Sequence, residues 1–124
     1  MKRQPEYLTL LLEQLSPLGA LRARAMFGGY GLYCDELFFA IVVDEILYLK
    51  ADSASKSDFE MLGLQPFSYA MKDGRLQTMA YYPLPDVALD DDAALQQWAK
   101  KGIAAALRAR NKPADRRKSM KNQA

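Results

Sequence analysis

The chain has 124 residues, half of them hydrophobic and 26% charged, with a formal net charge of +2, enough to bury a core as one domain without metal or disulfide staples. It contains no histidine and a single cysteine, which excludes Ser-His and Cys-His nucleophile pairs, zinc sites built from His and Cys, and an internal disulfide. No apolar run approaches the roughly 18 residues of a membrane span, and Glu13 and Gln14 interrupt any signal-peptide core, so the expected location is the cytoplasm.

The small net charge conceals an asymmetry. Residues 108–124 carry seven basic side chains and one acidic one, whereas residues 1–107 carry ten basic and 14 acidic. The sequence therefore predicts a domain over residues 1–110 with an acidic body, followed by a basic, exposed tail over residues 111–124.

In chain order, leucines at 8, 11, 12 and 15 form the i, i+3, i+4, i+7 stripe of an amphipathic helix over residues 5–16. Pro5 suits its first turn, and Ser16-Pro17 with Gly19 supplies the stop. Next comes Arg24-Ala25-Met26-Phe27-Gly28-Gly29-Tyr30-Gly31-Leu32-Tyr33-Cys34, dense in glycine and aromatic residues. A phosphate-binding loop needs a helix N-terminus behind it; strand-like residues follow here, so the expectation is a strand whose glycines permit a bulge or close backbone approach. Asp35-Glu36 and Asp44-Glu45 separate this segment from Leu37-Phe38-Phe39-Ala40-Ile41-Val42-Val43 and from Ile46-Leu47-Tyr48-Leu49-Lys50. Two-residue acidic turns between β-branched and aromatic runs predict an antiparallel meander of three strands.

Asp52 or Ser53 can cap a short helix over residues 54–62 that ends at Gly63. Lys72-Asp73-Gly74 then joins two alternating runs, residues 66–71 and 75–82, and Asp-Gly is a strong hairpin signal. Asp90-Asp91-Asp92 opens the last helix as a cap and a favourable charge at the positive end of its dipole. Leu95, Trp98, Ile103 and Leu107 supply that helix with an apolar face, on which Trp98 is expected as a core anchor. The predicted fold class is α+β in two layers, order α-β-β-β-α-β-β-α, with a mostly antiparallel five-stranded sheet packed by helices.

With these segments in hand, the chain resembles the N-terminal domain of the TfoX family of bacterial competence regulators. The resemblance rests on the segments 24–31, Leu47-Tyr48-Leu49-Lys50, Phe59-Glu60 with Gly63, Pro66-Phe67, Met79-Ala80-Tyr81-Tyr82, and Leu89-Asp90-Asp91 leading to Trp98-Ala99. It implies an α+β domain and a regulatory, non-catalytic role in switching on genes for DNA uptake, and it implies no catalytic residues. Full-length members carry a second, helical domain; after Leu107 this chain has only the basic tail.

Two surfaces are candidates for that role. Tyr30, Tyr33, Tyr81 and Tyr82 are the candidate contacts for a protein partner, with a transcription regulator as the candidate kind, because tyrosine offers large amphipathic area with few rotors. Arg108, Arg110, Arg116, Arg117 and Lys118 are the alternative, a non-specific nucleic-acid contact through phosphate neutralisation. An enzyme using Lys50, Tyr81 or Tyr82 would need burial to shift their acidities. The sequence singles out no cofactor or metal site, and Cys34, beside Asp35 and Glu36, reads as structural. A homodimer through an exposed strand edge is also expected to be accessible.

Overall fold

The alternating positions from Leu21 to Lys50 build four consecutive antiparallel strands in the computed structural model, which describes residues 5–26 and 28–111. They are β1 (Leu21–Met26), β2 (Gly29–Cys34), β3 (Leu37–Val43) and β4 (Ile46–Lys50). Further on, β5 (Ser68–Ala70) and β6 (Leu76–Thr78) pair only with each other, and β7 (Tyr81–Pro83) lies beside β4. The main sheet is therefore five-stranded, antiparallel and ordered β1-β2-β3-β4-β7. Helices α1 (Glu6–Leu15), α2 (Lys56–Glu60) and α3 (Asp92–Asn111) supply the second layer. The α+β sandwich is as expected.

Its strands are divided differently from the sequence pattern. The glycine-rich segment makes two strands instead of one, because Gly28 takes a positive φ of 77° and Met26 comes to face Gly29. The run 75–82 also divides. Met79 N–H donates to the Phe67 carbonyl while Ala51 N–H donates to the Ala80 carbonyl, so the chain leaves the β5–β6 hairpin there and enters the main sheet. Both acidic turns have two left-handed residues, Asp35 and Glu36 at φ 50° and 68°, Asp44 and Glu45 at φ 53° and 62°. That is the turn sense that matches strand twist, reached here without glycine. At the first turn the cost is offset locally: Asp35 accepts from the Ala20 N–H at 2.9 Å, and Glu36 accepts from Arg22 at 2.7 Å.

A bulge decides which side chains face the helices. Between Leu32/Tyr33 on β2, the β3 partners step from Ala40 to Phe38, leaving Phe39 as the extra residue. Phe39 and Ala40 are both buried with Leu32, Val42, Leu47 and Leu49 in the core cluster. The other face carries Arg22, Arg24, Met26, Tyr33, Phe38, Ile41, Tyr48, Lys50 and Tyr81, which share registers across the ladder. Leu8 and Leu15 of α1 complete the helix-side core, and Phe59 of α2 stacks on Tyr82 and contacts Trp98, both at 5.1 Å.

Helix α3 lies low on the sheet because its buried seam is small: Leu95, Ala99, Gly102, Ala105 and Ala106. Leu107, expected on that face, is exposed, and Trp98 is half-buried at its margin. Asp91 caps α3, accepting from the N–H groups of Ala93 and Ala94 at 2.9 and 3.2 Å. Asp52 accepts from the N–H groups of Ala54 and Ser55 at the entrance to α2, while Arg108 near the end of α3 grips it with two hydrogen bonds of 2.7 and 2.9 Å. Past α2, Gly63 (φ 80°) closes the turn. Leu64 N–H donates to the Phe59 carbonyl and Gly63 N–H to the Glu60 carbonyl, a Schellman pattern.

A Cβ on Gly102 would come 2.9 Å from the Phe39 carbonyl oxygen and 3.4 Å from the Lys50 nitrogen. Because backbone atoms cannot swing aside, Gly102→Val should destabilise by about 1–3 kcal/mol in urea unfolding; an unchanged midpoint would contradict the close approach. Asp52→Ala removes both a cap and an ion pair and should cost about 1–2 kcal/mol at neutral pH. The Arg108 hydrogen bond, opposed in part by burial, lowers the Asp52 pKa from 3.8 to about 2. Its contribution is thus full above the ordinary carboxylate range and lost as pH falls through that interval. The stability gap between wild type and variant should narrow between about pH 4 and pH 2; a gap constant across that range would contradict the assignment.

Candidate functional site

Every residue of β3 is apolar, Leu37 to Val43, the pattern of a strand covered on both faces. The three helices cover one. On the other, the covering is the segment around β5 and β6, which reaches back through Phe67. Its ring meets Tyr48 edge-on at 4.9 Å and lies 6.2 Å from Tyr69. Both hairpin strands are exposed along their length, and Leu76, at 71% exposure, shows that the hairpin projects from the sheet.

Between hairpin and sheet lies a groove of about 440 Å³. Met26, Tyr30, Phe38, Ile41 and Val43 form its sheet side, and Phe67, Tyr69 and Met79 form the other. Its walls are almost wholly apolar side chains, so it suits aliphatic or aromatic groups of a partner and offers no set of acid–base or metal-binding groups. Gly31 lets the floor close up: a Cβ there would meet Met26 at 2.6 Å and Phe38 at 2.8 Å. A second hollow, about 660 Å³, runs between α1, β4 and the 3-10 turn Asp86–Ala88, with Glu45, Asp86 and Gln14 among apolar lining residues.

The four tyrosines expected to meet a partner separate. Tyr30 borders the groove, but it stands opposite Val42 in the ladder, on the helix side of the sheet, where it packs against the core cluster. Tyr33 is half-buried on the open face, stacked on Phe38 at 5.1 Å and lying under the Arg22 guanidinium at 4.2 Å. Tyr81 and Tyr82 retain 5% and 4% exposure, too little to meet a partner directly. Tyr81 lies under Lys50, whose ammonium is 5.3 Å from the ring, with Phe38 at 6.1 Å. Burial pushes its phenol up to about 12, so it stays neutral near pH 7. Tyr82 faces the helices, and its hydroxyl donates to Glu60 at 2.7 Å, the main reason its pKa is raised.

Of the basic residues, Arg108 is engaged by Asp52 and Arg110 is exposed in the last turn of α3. Arg116, Arg117 and Lys118 lie outside the described residues. Lys101 pairs with Asp58 at 2.9 Å. Cys34 is buried, its thiol donates to the Leu18 carbonyl at 3.6 Å, and burial, then Asp35, raises its pKa. Among the described residues no three Cys, Asp or Glu side chains gather as metal ligands, and no helix is long and apolar enough to cross a membrane. Tyrosine content alone did not point to Met26, Phe38, Ile41, Phe67 and Met79; the signal for the groove was the strand that is apolar on both faces.

Comparison with known proteins gives the chain a lineage. A family model described as the TfoX N-terminal domain matches residues 13–106. The chain is 31% identical over 96 residues to Protein Sxy of Escherichia coli, covering 77% of this chain and 46% of that protein. It is also 31% identical over 70 residues to DNA transformation protein TfoX1 of Aliivibrio fischeri, covering 56% of this chain and 33% of that protein. The chain thus spans less than half the length of either relative. Since the matched residues run from α1 well into α3 and take in the whole sheet and the hairpin, the chain belongs to the TfoX N-terminal domain family.

Proposed function

We propose that this protein is a non-catalytic regulatory interaction domain, acting through a protein partner in the transcriptional control of DNA-uptake competence. The observation that carries the interaction is the apolar groove between the open sheet face and the projecting hairpin. Such a surface gains most by excluding water against another protein's side chains. The competence assignment is drawn from the family and from a relative named a DNA transformation protein. Arg108 and Arg110 favour nucleic acid less, because Arg108 is already committed to Asp52.

Deleting the gene in its host should lower transcripts of DNA-uptake genes, and the wild-type chain should restore them. A Tyr69→Asp, Met79→Asp double variant puts two charges on the groove wall at sites that are not fully buried. It should retain the wild-type Tm within a few degrees yet restore transcripts at least about tenfold less well, since each buried unpaired charge costs well over 1.4 kcal/mol of binding. Transcripts indifferent to the deletion would remove competence from the assignment; equal rescue by the double variant would place the contact outside the groove.

A further inference from the structure

Strand β1 ends the sheet, with β2 on one side and, among the described residues, no strand on the other. Its free edge can be assigned residue by residue. Asp35 N–H donates to the Ala20 carbonyl at 2.8 Å. In a register that sets Leu21 opposite Cys34 and Met26 opposite Gly29, the residues bonded to β2 are then Arg22, Arg24 and Met26. Antiparallel ladders alternate, so Leu21, Ala23 and Ala25 turn their N–H and C=O groups outward. Among the described residues these groups enter no other backbone hydrogen bond.

The side chains beside that edge carry a definite charge pattern. Arg22 is held by Glu36 at 2.7 Å. Arg24 is exposed and has no ion-pair partner among the described residues. Met26, next on the same face, is a wall of the groove. A second copy fits poorly here. Every antiparallel register that bonds at least two of Leu21, Ala23 and Ala25 to their counterparts sets arginine opposite arginine, and like charges directly opposite destabilise a pair. The same arginines favour a strand that carries acids.

From this we infer that β1 is a strand-addition site for an extended segment of the protein partner. That segment carries an acidic side chain opposite Arg24 and, two residues along on the same face, an apolar side chain that enters the groove beside Met26. The inference rests on the protein-partner function proposed above and names the chemistry of the segment. Main-chain bonds to Leu21, Ala23 and Ala25 give affinity, while the arginine and the groove fix register and selectivity. A nucleic-acid backbone would use the arginines but neither the outward amide–carbonyl alternation nor the groove.

The probe is a fluorescein-labelled synthetic peptide of alternating glutamate and valine with a leucine two positions beyond the last glutamate; its lysine-for-glutamate counterpart is the control. Titration with the full chain, followed by anisotropy, should show saturable binding of the acidic peptide, with the lysine peptide at least about tenfold weaker. Arg24→Glu should weaken the acidic peptide by about tenfold or more. Ala23→Pro, which deletes an outward donor where an edge strand tolerates proline, should do the same without loss of Tm; if that variant unfolds, Arg24→Glu alone decides. Equal binding of the two peptides, or an acidic-peptide affinity unchanged by Arg24→Glu, would overturn the inference. So would a dimer in sedimentation that Ala23→Pro dissolves, or duplex DNA that displaces the peptide and itself requires Arg24. Arg24→Glu in the transcript assay separates the two proposals: full rescue places the partner elsewhere and leaves the partner function standing, whereas impaired rescue together with lost peptide binding supports both.

Discussion

The approach of α3 to β3 at Gly102 is the contact on which the arrangement depends. The helix backbone comes within van der Waals reach of the Phe39 carbonyl only because no side chain intervenes, and the alanines along the same seam keep it low over several turns. The bulge on β3 sends Phe39 and Ala40 to the same side, so the helix meets a thickened patch of sheet. Phe59, Tyr82 and Trp98 fill the wedge beside it. All three helices are thereby spent on one face. Among the described residues the opposite face keeps only a three-residue-per-strand hairpin, and the groove is the space that so small a cover leaves on so apolar a strand.

How far the sequence discloses this arrangement depends on how local each cause is. The leucine stripe of α1, the Asp91 cap, the Gly63 stop and the Asp73-Gly74 hairpin are written in neighbouring residues and occur where the pattern places them. Asp35-Glu36 and Asp44-Glu45 are turns as expected, but their left-handed geometry is imposed by strand twist and not announced by glycine. The small seam of α3 was hidden because periodicity counts large apolar residues; Leu107 scores well there and is exposed, while Gly102 scores nothing and is buried. Tyr81 and Tyr82 show the same limit. Alternation puts them on opposite faces, yet both are covered, one beneath Phe38 and Lys50, the other beneath Phe59. Which tyrosines remain available depends on cover from distant segments, and no local pattern encodes that.

Charge divides along the same lines. Arg108 and Lys101 bind acids on the segment that carries α2, so these cations of α3 also tie its far half to the loop that follows β4. Arg22 is similarly occupied with Glu36, and there it braces a turn whose left-handed residues need support. Such exposed pairs each contribute little to stability, but they determine which cations remain for another molecule. Among the described residues Arg24 is left without an acid, on an open strand edge and next to the groove wall formed by Met26. A positive side chain on an edge ordinarily serves to repel other copies. Where the adjoining face is also apolar and concave, the same charge discriminates between strands instead of refusing them all, because it raises the cost of a like-charged edge and lowers that of an acidic one. Protection from self-association and selection of a partner are then a single electrostatic property of β1, and the glycines that let β2 turn back against it place that property beside the groove.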